Sequence, residues 1–288
     1  MKIYIDGKFY SERDAKISVF DHGLLYGDGI FEGIRAYHGC VFKLKEHIDR
    51  LFYSAKAILL EIPMSPEKVS GAVIETCRAN KIRDGYIRLL VTRGKGTLGL
   101  NPKSCSRPSV IIIAGKIQLY PQELYARGMD IVTVPTVRNL HSALNPAIKS
   151  LNYLNNILAK IEANNAGVEE AVMLNAEGFV SECTGDNLFI IKKGELLTPP
   201  LSAGALYGIT RQTVMELAQQ AGMKVSEPNL TRYDLFNADE CFLTGTGAEI
   251  MPVIKIDGRI IGTGKPGKLT RKLVQDYHAL TQRSGDPI

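Results

Sequence analysis

No apolar run in the chain approaches the roughly 18 residues that a membrane-crossing helix needs. There is also no C-x-x-C pair, no H-E-x-x-H, no G-x-S-x-G and no block of like charges. Each absence excludes a class. Without a long apolar run, a chain that is 45% hydrophobic and 23% charged reads as a soluble globular protein, with no membrane partner. The five cysteines, Cys40, Cys77, Cys105, Cys183 and Cys241, are odd in number and widely spaced. They suggest neither a disulfide framework nor a zinc site, and a reducing cytoplasm fits them best. A net charge of +5 spread along the chain suits small anionic ligands and gives little reason to expect nucleic acid. The N-terminus alternates apolar and polar residues around Asp6-Gly7, which reads as a hairpin; no export signal is expected.

What is present is enough chain for two cores. At 288 residues the expectation is a small N-terminal domain over 1–120, a linker over 121–128 and a larger domain over 129–288. Hairpin signals at Asp6-Gly7 and His38-Gly39 flank the apolar segment from Ile30 to Tyr37. Leu44, Ile48, Leu51, Phe52, Ala55 and Leu59 recur at helical spacing, and Ser65-Pro66 opens a second helix running to about Asn80. Strands follow over 85–94 and 108–117. In the second half, a strand over 129–137 leads to a helix on which Leu151, Leu154, Leu158 and Ile161 make one stripe, stopped at 164–167. Strands near 171–175, 179–183 and 187–191, a helix over 210–221 ended by Gly222, a strand over 240–244, a hairpin at 255–260 and a helix from about Lys268 complete the pattern.

Charge is scarcest between Asn139 and Ala159, where no residue other than Lys149 is Asp, Glu, Lys or Arg. Two readings stand for it. A lysine in an apolar stretch often snorkels to water. Alternatively it is held dry, which lowers its pKa and lets a neutral amine attack a carbonyl to form a Schiff base, the chemistry of pyridoxal phosphate enzymes. That cofactor also asks for a carboxylate at its ring nitrogen and a phosphate cradle at a helix start. Glu182 and the run Leu206 to Thr210 are candidates.

Other motifs are weaker. Gly94 to Gly99 spells G-x-G-x-x-G after a strand, but Leu100-Asn101-Pro102 opens no helix. Gly262 to Lys268 nearly spells a P-loop, with Leu269 where Ser or Thr should hold magnesium; a nucleotide-binding protein built on this turn is the non-enzymatic alternative. His22 and His47 read as hydrogen-bonded structural residues, and no metal is expected.

The passages Asp21 to Arg35 (DHGLLYGDGIFEGIR), Lys149 to Tyr153 (KSLNY), Ser181 to Phe189 (SECTGDNLF) and Thr244 to Ile250 (TGTGAEI) resemble, in order and spacing, the class IV aminotransferases, and among them the branched-chain amino acid aminotransferases. The resemblance implies an α/β (α+β) fold of type IV, with a small N-terminal and a larger C-terminal α/β domain, pyridoxal 5'-phosphate between them, and a homodimer or higher homo-oligomer. It implies amino acid and 2-oxo acid substrates: L-leucine, L-isoleucine or L-valine as donor and 2-oxoglutarate as acceptor.

Carried over by position, Lys149 is the catalytic lysine and Glu182 faces the ring nitrogen. Tyr153 bonds the ring hydroxyl oxygen, while Arg50, Ile209, Thr210 and Thr246 hold the phosphate. Tyr86, Arg88 and the backbone at Thr246 and Gly247 handle carboxylates; Phe31, Tyr153 and Tyr26 of the partner subunit surround the aliphatic side chain. Two positions depart from the family pattern: Leu89 stands where proline is expected after Tyr-x-Arg, and Gly247 replaces an alanine. D-amino acid or broad-range transaminases of the class and aminodeoxychorismate lyase are the alternatives. The Arg-x-His pair of the D-amino acid relatives is absent from the sequence, and the Tyr86/Arg88 pair speaks against the lyase.

Overall fold

In the computed structural model, residues 1–117 and 119–288 are described; Gln118, at the expected domain boundary, lies outside them. The chain divides into two compact units. Unit 1 comprises 1–117, 148–152 and 281–288, and unit 2 comprises 118–147 and 153–280. The division is therefore not linear in sequence, because the Lys149 segment belongs with the N-terminal unit.

Unit 1 is an antiparallel sheet with helices on one face. Its strands are β1 (Lys2–Ile5), β2 (Lys8–Ser11), β3 (Gly29–Tyr37), β4 (Cys40–Val41), β5 (Gly85–Thr92) and β6 (Ser109–Gly115). The spatial order is β4-β3-β5-β6-β1-β2, with Asp286–Pro287 added beside β4. A short helix, α1 (His22–Tyr26), precedes β3, and α2 (Leu44–Ala57) and α3 (Pro66–Ala79) follow β4. Ser65 caps α3 by accepting from the Lys68 N–H, with Pro66 at the first helical position, as its sequence indicates.

Strand alternation sorts β3 and β5 into two faces. Ile30, Ile34 and Ala36 point into the core with Ile87, Leu89 and Val91, against Ile48 and Leu51 of α2 and Val73 of α3. Phe31, Gly33 and Arg35 lie opposite Leu90, Arg88 and Tyr86 on the other face. Leu89 is fully buried in the core, so this departure from the family pattern points away from the face that carries Tyr86 and Arg88.

Unit 2 holds a nine-stranded mixed sheet. Its strands are β7 (Met129–Val134), β8 (Glu170–Leu174), β9 (Val180–Cys183), β10 (Asn187–Lys192), β11 (Glu195–Leu197), β12 (Val225–Ser226), β13 (Glu240–Gly245), β14 (Glu249–Ile256) and β15 (Arg259–Ile260). They are ordered β12-β11-β10-β13-β14-β7-β8-β9, with β15 paired to β14. Parallel pairs join β11 to β12, β7 to β14 and β7 to β8. The helices are α4 (Gln122–Arg127), α5 (Leu154–Asn165), α6 (Ile209–Gln220), α7 (Arg232–Phe236) and α8 (Lys268–Thr281).

Helix α5 corrects one expectation. It begins at Leu154, so Leu151 lies outside it, and Leu154, Leu158 and Ile161 are exposed. The buried side is Asn156, Ala159 and Ala163; the alanines pack with Val134, Ala171 and Met173 of β7 and β8. Small residues let the helix backbone lie close to the sheet, and the larger side chains turn outward. Among the described residues no helix is long and apolar enough to cross a membrane.

Candidate functional site

In unit 1, the 148–152 segment runs as an extra strand beside the start of β3. Phe31 N–H donates to the Lys149 carbonyl at 3.0 Å and Leu151 N–H to the Gly29 carbonyl at 2.9 Å, with Ile30 and Ser150 bridged antiparallel. Lys149 N–H donates to Ser54 Oγ of α2 at 3.2 Å. The lysine backbone is thus pinned from two sides. Its side chain is half-buried rather than dry, and Nζ lies 4.8 Å from the Phe31 ring centroid.

The same ring receives a second cation. Arg88 Cζ is 4.7 Å from the Phe31 centroid and 5.4 Å from that of Tyr86. Each contact is a cation–π attraction, but two cations at one ring repel each other, so the cluster is completed most favourably by an anion. Gly33 makes the arrangement possible. A Cβ there would lie 2.1 Å from the Tyr86 hydroxyl, so the glycine is the space the phenol occupies. The structure therefore brings Lys149, Phe31, Tyr86 and Arg88 together. Tyr26 closes α1, its hydroxyl donating to the Leu98 carbonyl and its ring edge-on to His22.

Behind Phe31, on the core face, lies a charge network in which Arg50, expected at the phosphate, and His47, expected as a hydrogen-bonded structural residue, meet Glu32, to which sequence reading gave no role. Glu32, fully buried, accepts from Arg50 Nε at 2.7 Å, Arg50 Nη2 at 2.6 Å and His47 Nδ1 at 2.7 Å. Burial pushes the Glu32 pKa up. The Arg50 charge and the hydrogen bonds from His47 and Arg50 outweigh it and hold the carboxyl at about 2. Burial lowers the His47 pKa, partly offset by the bond to Glu32, so the imidazole is neutral near pH 7 and donates from Nδ1. Arg50 is thereby oriented through a bidentate pair. Glu32 stood in the FEGIR passage; nothing in the spacing tied it to a residue 18 positions on.

In unit 2, β9 carries Glu182, whose carboxylate is buried and held at both oxygens. Arg138 Nη2 donates to Oε1 at 2.7 Å, while Asn187 Nδ2 and Leu206 N–H donate to Oε2 at 3.0 and 2.8 Å. Arg138 is in turn held by the Asn156 and Asn155 side chains of α5 at 3.2 and 3.4 Å and by the Gly204 carbonyl at 3.3 Å. Sequence reading missed Arg138, although it is the last charge before the charge-poor stretch. Tyr153 stands immediately before α5, half-buried, its carbonyl accepting from Ile157 N–H at 2.9 Å.

Two helix starts contrast. At α8, the end of the P-loop-like turn, Glu240 fills the N-terminus: it accepts from Leu269 N–H at 3.1 Å and from Thr270 N–H and Oγ1 at 2.7 and 2.6 Å. A carboxyl oxygen of Glu240 would lie 2.3 Å from a Cβ on Gly267, so no phosphate enters there. At α6, by contrast, Gly208 provides no side-chain cap. The first-turn N–H groups of Ile209 and Thr210 have no helical acceptor, and an uncapped start of this kind binds anions. Thr246 and Gly247 form the turn between β13 and β14, and the carboxylate of Glu249, which opens β14, accepts from His278 Nε2 at 3.0 Å. Ser181 Oγ and Thr244 Oγ1 are buried with no hydrogen-bond partner among the described residues. These donors and carboxylates fit a phosphorylated, ring-nitrogen cofactor. They do not form a metal centre: among the described residues no cluster of His, Cys, Asp and Glu could hold an ion.

Comparisons with known proteins agree with one another. Residues 29–256 match the family model Amino-transferase class IV. The chain is 54% identical over 285 residues to a putative branched-chain-amino-acid aminotransferase of Methanocaldococcus jannaschii, covering 99% of this chain and 98% of that protein. The crystal structure of the Escherichia coli branched-chain amino acid aminotransferase superposes with a TM-score of 0.95 at 36% identity, covering 97% of this chain and 94% of that one. The branched-chain aminotransferase of the thermophilic archaeon Thermoproteus uzoniensis, solved with norvaline, gives 0.92 at 41% identity, covering 98% and 94%. A further branched-chain amino acid aminotransferase, solved with pyridoxamine 5'-phosphate, gives 0.94 at 38% identity, covering 98% and 95%.

Proposed function

The chain belongs to the class IV aminotransferases, and we propose that it moves the amino group of L-leucine, L-isoleucine or L-valine to 2-oxoglutarate. It is a pyridoxal 5'-phosphate-dependent transaminase of branched-chain amino acids. When bound, the cofactor supplies the electron sink that makes the substrate Cα proton removable. The observation that carries the substrate reading is the pairing of Lys149 and Arg88 on the Phe31 ring, with Tyr86 beside them.

On this reading Lys149 would be the amine that attaches the cofactor and, once freed by the substrate's amine, the base that would move the proton between the substrate Cα and the cofactor. Its backbone, tethered to Phe31 and Ser54, limits where Nζ can reach. Arg88 offers a planar fork to the second carboxylate of glutamate, and Tyr86 a hydroxyl beside it; the Phe31 ring supports an aliphatic side chain when that carboxylate is missing. Glu182, oriented by Arg138, Asn187 and Leu206 N–H, holds the proton on the ring nitrogen. Tyr153 bonds the ring hydroxyl oxygen. The uncapped start of α6 at Ile209 and Thr210, with Thr246 and Arg50, answers the phosphate. Thr246 and Gly247 offer backbone N–H groups to the α-carboxylate. The working form is a homodimer or higher homo-oligomer in the cytoplasm, in which Tyr26 serves the neighbouring subunit.

The test is an initial-rate panel of L-leucine, L-isoleucine, L-valine, D-alanine and an aromatic L-amino acid with 2-oxoglutarate. The three branched-chain donors should turn over fastest and D-alanine should give no product. A preference for D-alanine, or glutamate formation from none of them, would overturn the reading.

A further inference from the structure

Unit 2 buries a second set of acids that the transamination chemistry does not use. The Tyr120 hydroxyl lies 2.7 Å from Asp186 Oδ2 and 3.1 Å from Glu170 Oε2, and all three residues are buried. One hydroxyl proton serves two acceptors only as a weakened three-centre bond, and two buried carboxylates on one hydroxyl repel each other. The repulsion is relieved when one of the two carboxyls carries a proton of its own. Glu170 Oε1 already accepts from Ala171 N–H at 2.7 Å and Thr184 N–H at 3.0 Å, two hydrogen bonds that favour a charged carboxylate. Among the described residues no N–H donates to the Asp186 carboxyl, so the charge is better held on Glu170 and the proton on Asp186.

The location gives this proton a use. Asp186 closes the turn after β9: its carbonyl accepts from Cys183 N–H at 2.8 Å, and the next side chain, Asn187, donates to Glu182. Its carboxyl also lies against the strand leading to Thr246, since a Cβ on Gly245 would be 2.0 Å from Asp186 Oδ1. We infer that Asp186 is a positioning residue, whose protonated carboxyl, bonded through Tyr120 to Glu170, fixes the 183–186 turn behind Glu182 and the Gly245 backbone entering Thr246. The inference deepens the cofactor reading of Glu182 and Thr246 and rests on it.

The electrostatics agree with the geometry. Burial first, then the charge of Glu170, and more weakly Glu182, push Asp186 up to about 7; the Tyr120 hydrogen bond and the charge of Lys160 on α5 pull the other way. Cys183 also faces it, and burial together with the same carboxylates keeps that thiol protonated. Burial and the two acids push the Tyr120 phenol well up, so it remains a donor. Loss of the Asp186 proton puts two carboxylates on one hydroxyl, and the turn and the Gly245 strand must give way.

Three measurements on the full chain test this. Infrared spectra of wild type should contain a protonated-carboxyl C=O band at about pH 6 that shifts on aspartate-selective isotope labelling and is lost by about pH 8.5. Absence of that band overturns the proton. Pyridoxal phosphate titrations should show the wild-type Kd weakening about tenfold more than that of Asp186→Asn between the same pH values. The amide imitates the protonated acid without titrating, and the cofactor's own ionisations are common to both proteins. Parallel profiles, or an Asp186→Asn protein that binds no cofactor while wild type does, overturn the positioning role. Tyr120→Phe should weaken binding at both pH values, and unchanged binding contradicts the chain through Tyr120. Wild type that binds no cofactor at any pH sinks the cofactor reading and the positioning role together, while the infrared result still decides the proton.

Discussion

Arg50 of α2 grips both carboxylate oxygens of Glu32 on β3, with Nε and Nη2 at 2.7 and 2.6 Å, inside the core of unit 1. The pair links the helix that holds the Lys149 backbone through Ser54 to the strand that holds it through Phe31. A buried pair of this kind contributes little against an apolar replacement of both partners, but losing one partner strands the other's charge.

Glu32→Ala should therefore destabilise the protein by about 3–5 kcal/mol in chemical denaturation, because the buried Arg50 loses its bidentate carboxylate. The pH dependence has a definite sign. With its pKa held at about 2 instead of 4.5, Glu32 contributes stability on the order of 3 kcal/mol that is present above pH 4.5 and lost as the pH falls through about 2. Denaturation midpoints measured across this acid range should fall less steeply in a Glu32→Gln variant than in wild type.

Gly33→Ala tests the face that carries the substrate groups. The new methyl would meet the Tyr86 hydroxyl at 2.1 Å and push Tyr86 and its neighbour Arg88 out of place while the core face of β3 is untouched. Steady-state kinetics should show kcat/KM reduced roughly 10- to 100-fold, with a melting temperature close to wild type. Unaltered kinetics would mean that Tyr86 and Arg88 do not face the substrate.

Glu240→Ala separates the two helix starts. It removes the carboxylate that caps α8 and should cost about 1–2 kcal/mol in stability. Transamination rates should stay within about twofold of wild type, because the anion-binding start is that of α6. A selective loss of activity would point to the Gly262–Lys268 turn.

Much of the fold was legible in local pattern. The Ser65-Pro66 cap, the Asp6-Gly7 and His38-Gly39 turns and the Gly222 stop each act within a few residues, and all stand where the sequence indicates. The stripe on α5 was misread for a physical reason: hydrophobicity marks which residues prefer burial, not which side of a helix has room, and the alanines fit the sheet more closely than the leucines. The site was legible as far as its motifs reach. Arg138 and Glu182 are 44 positions apart, and Glu32 and Arg50 18 apart, on elements that meet only in the folded chain. No local signal couples such pairs. The charge gap around Lys149 also reads differently. The lysine is half-buried against an aromatic ring that it shares with Arg88, so it is less dry than the charge gap around it suggests.

The central claim is that Lys149 carries the cofactor. Reduction of the pyridoxal phosphate-loaded protein with borohydride, followed by peptide mass mapping, tests it directly. The account predicts a phosphopyridoxyl group on Lys149, and in the Lys149→Ala variant no such modification, with transamination reduced at least about 10³-fold. A phosphopyridoxyl group on another lysine of the wild-type chain, or on none, would contradict it.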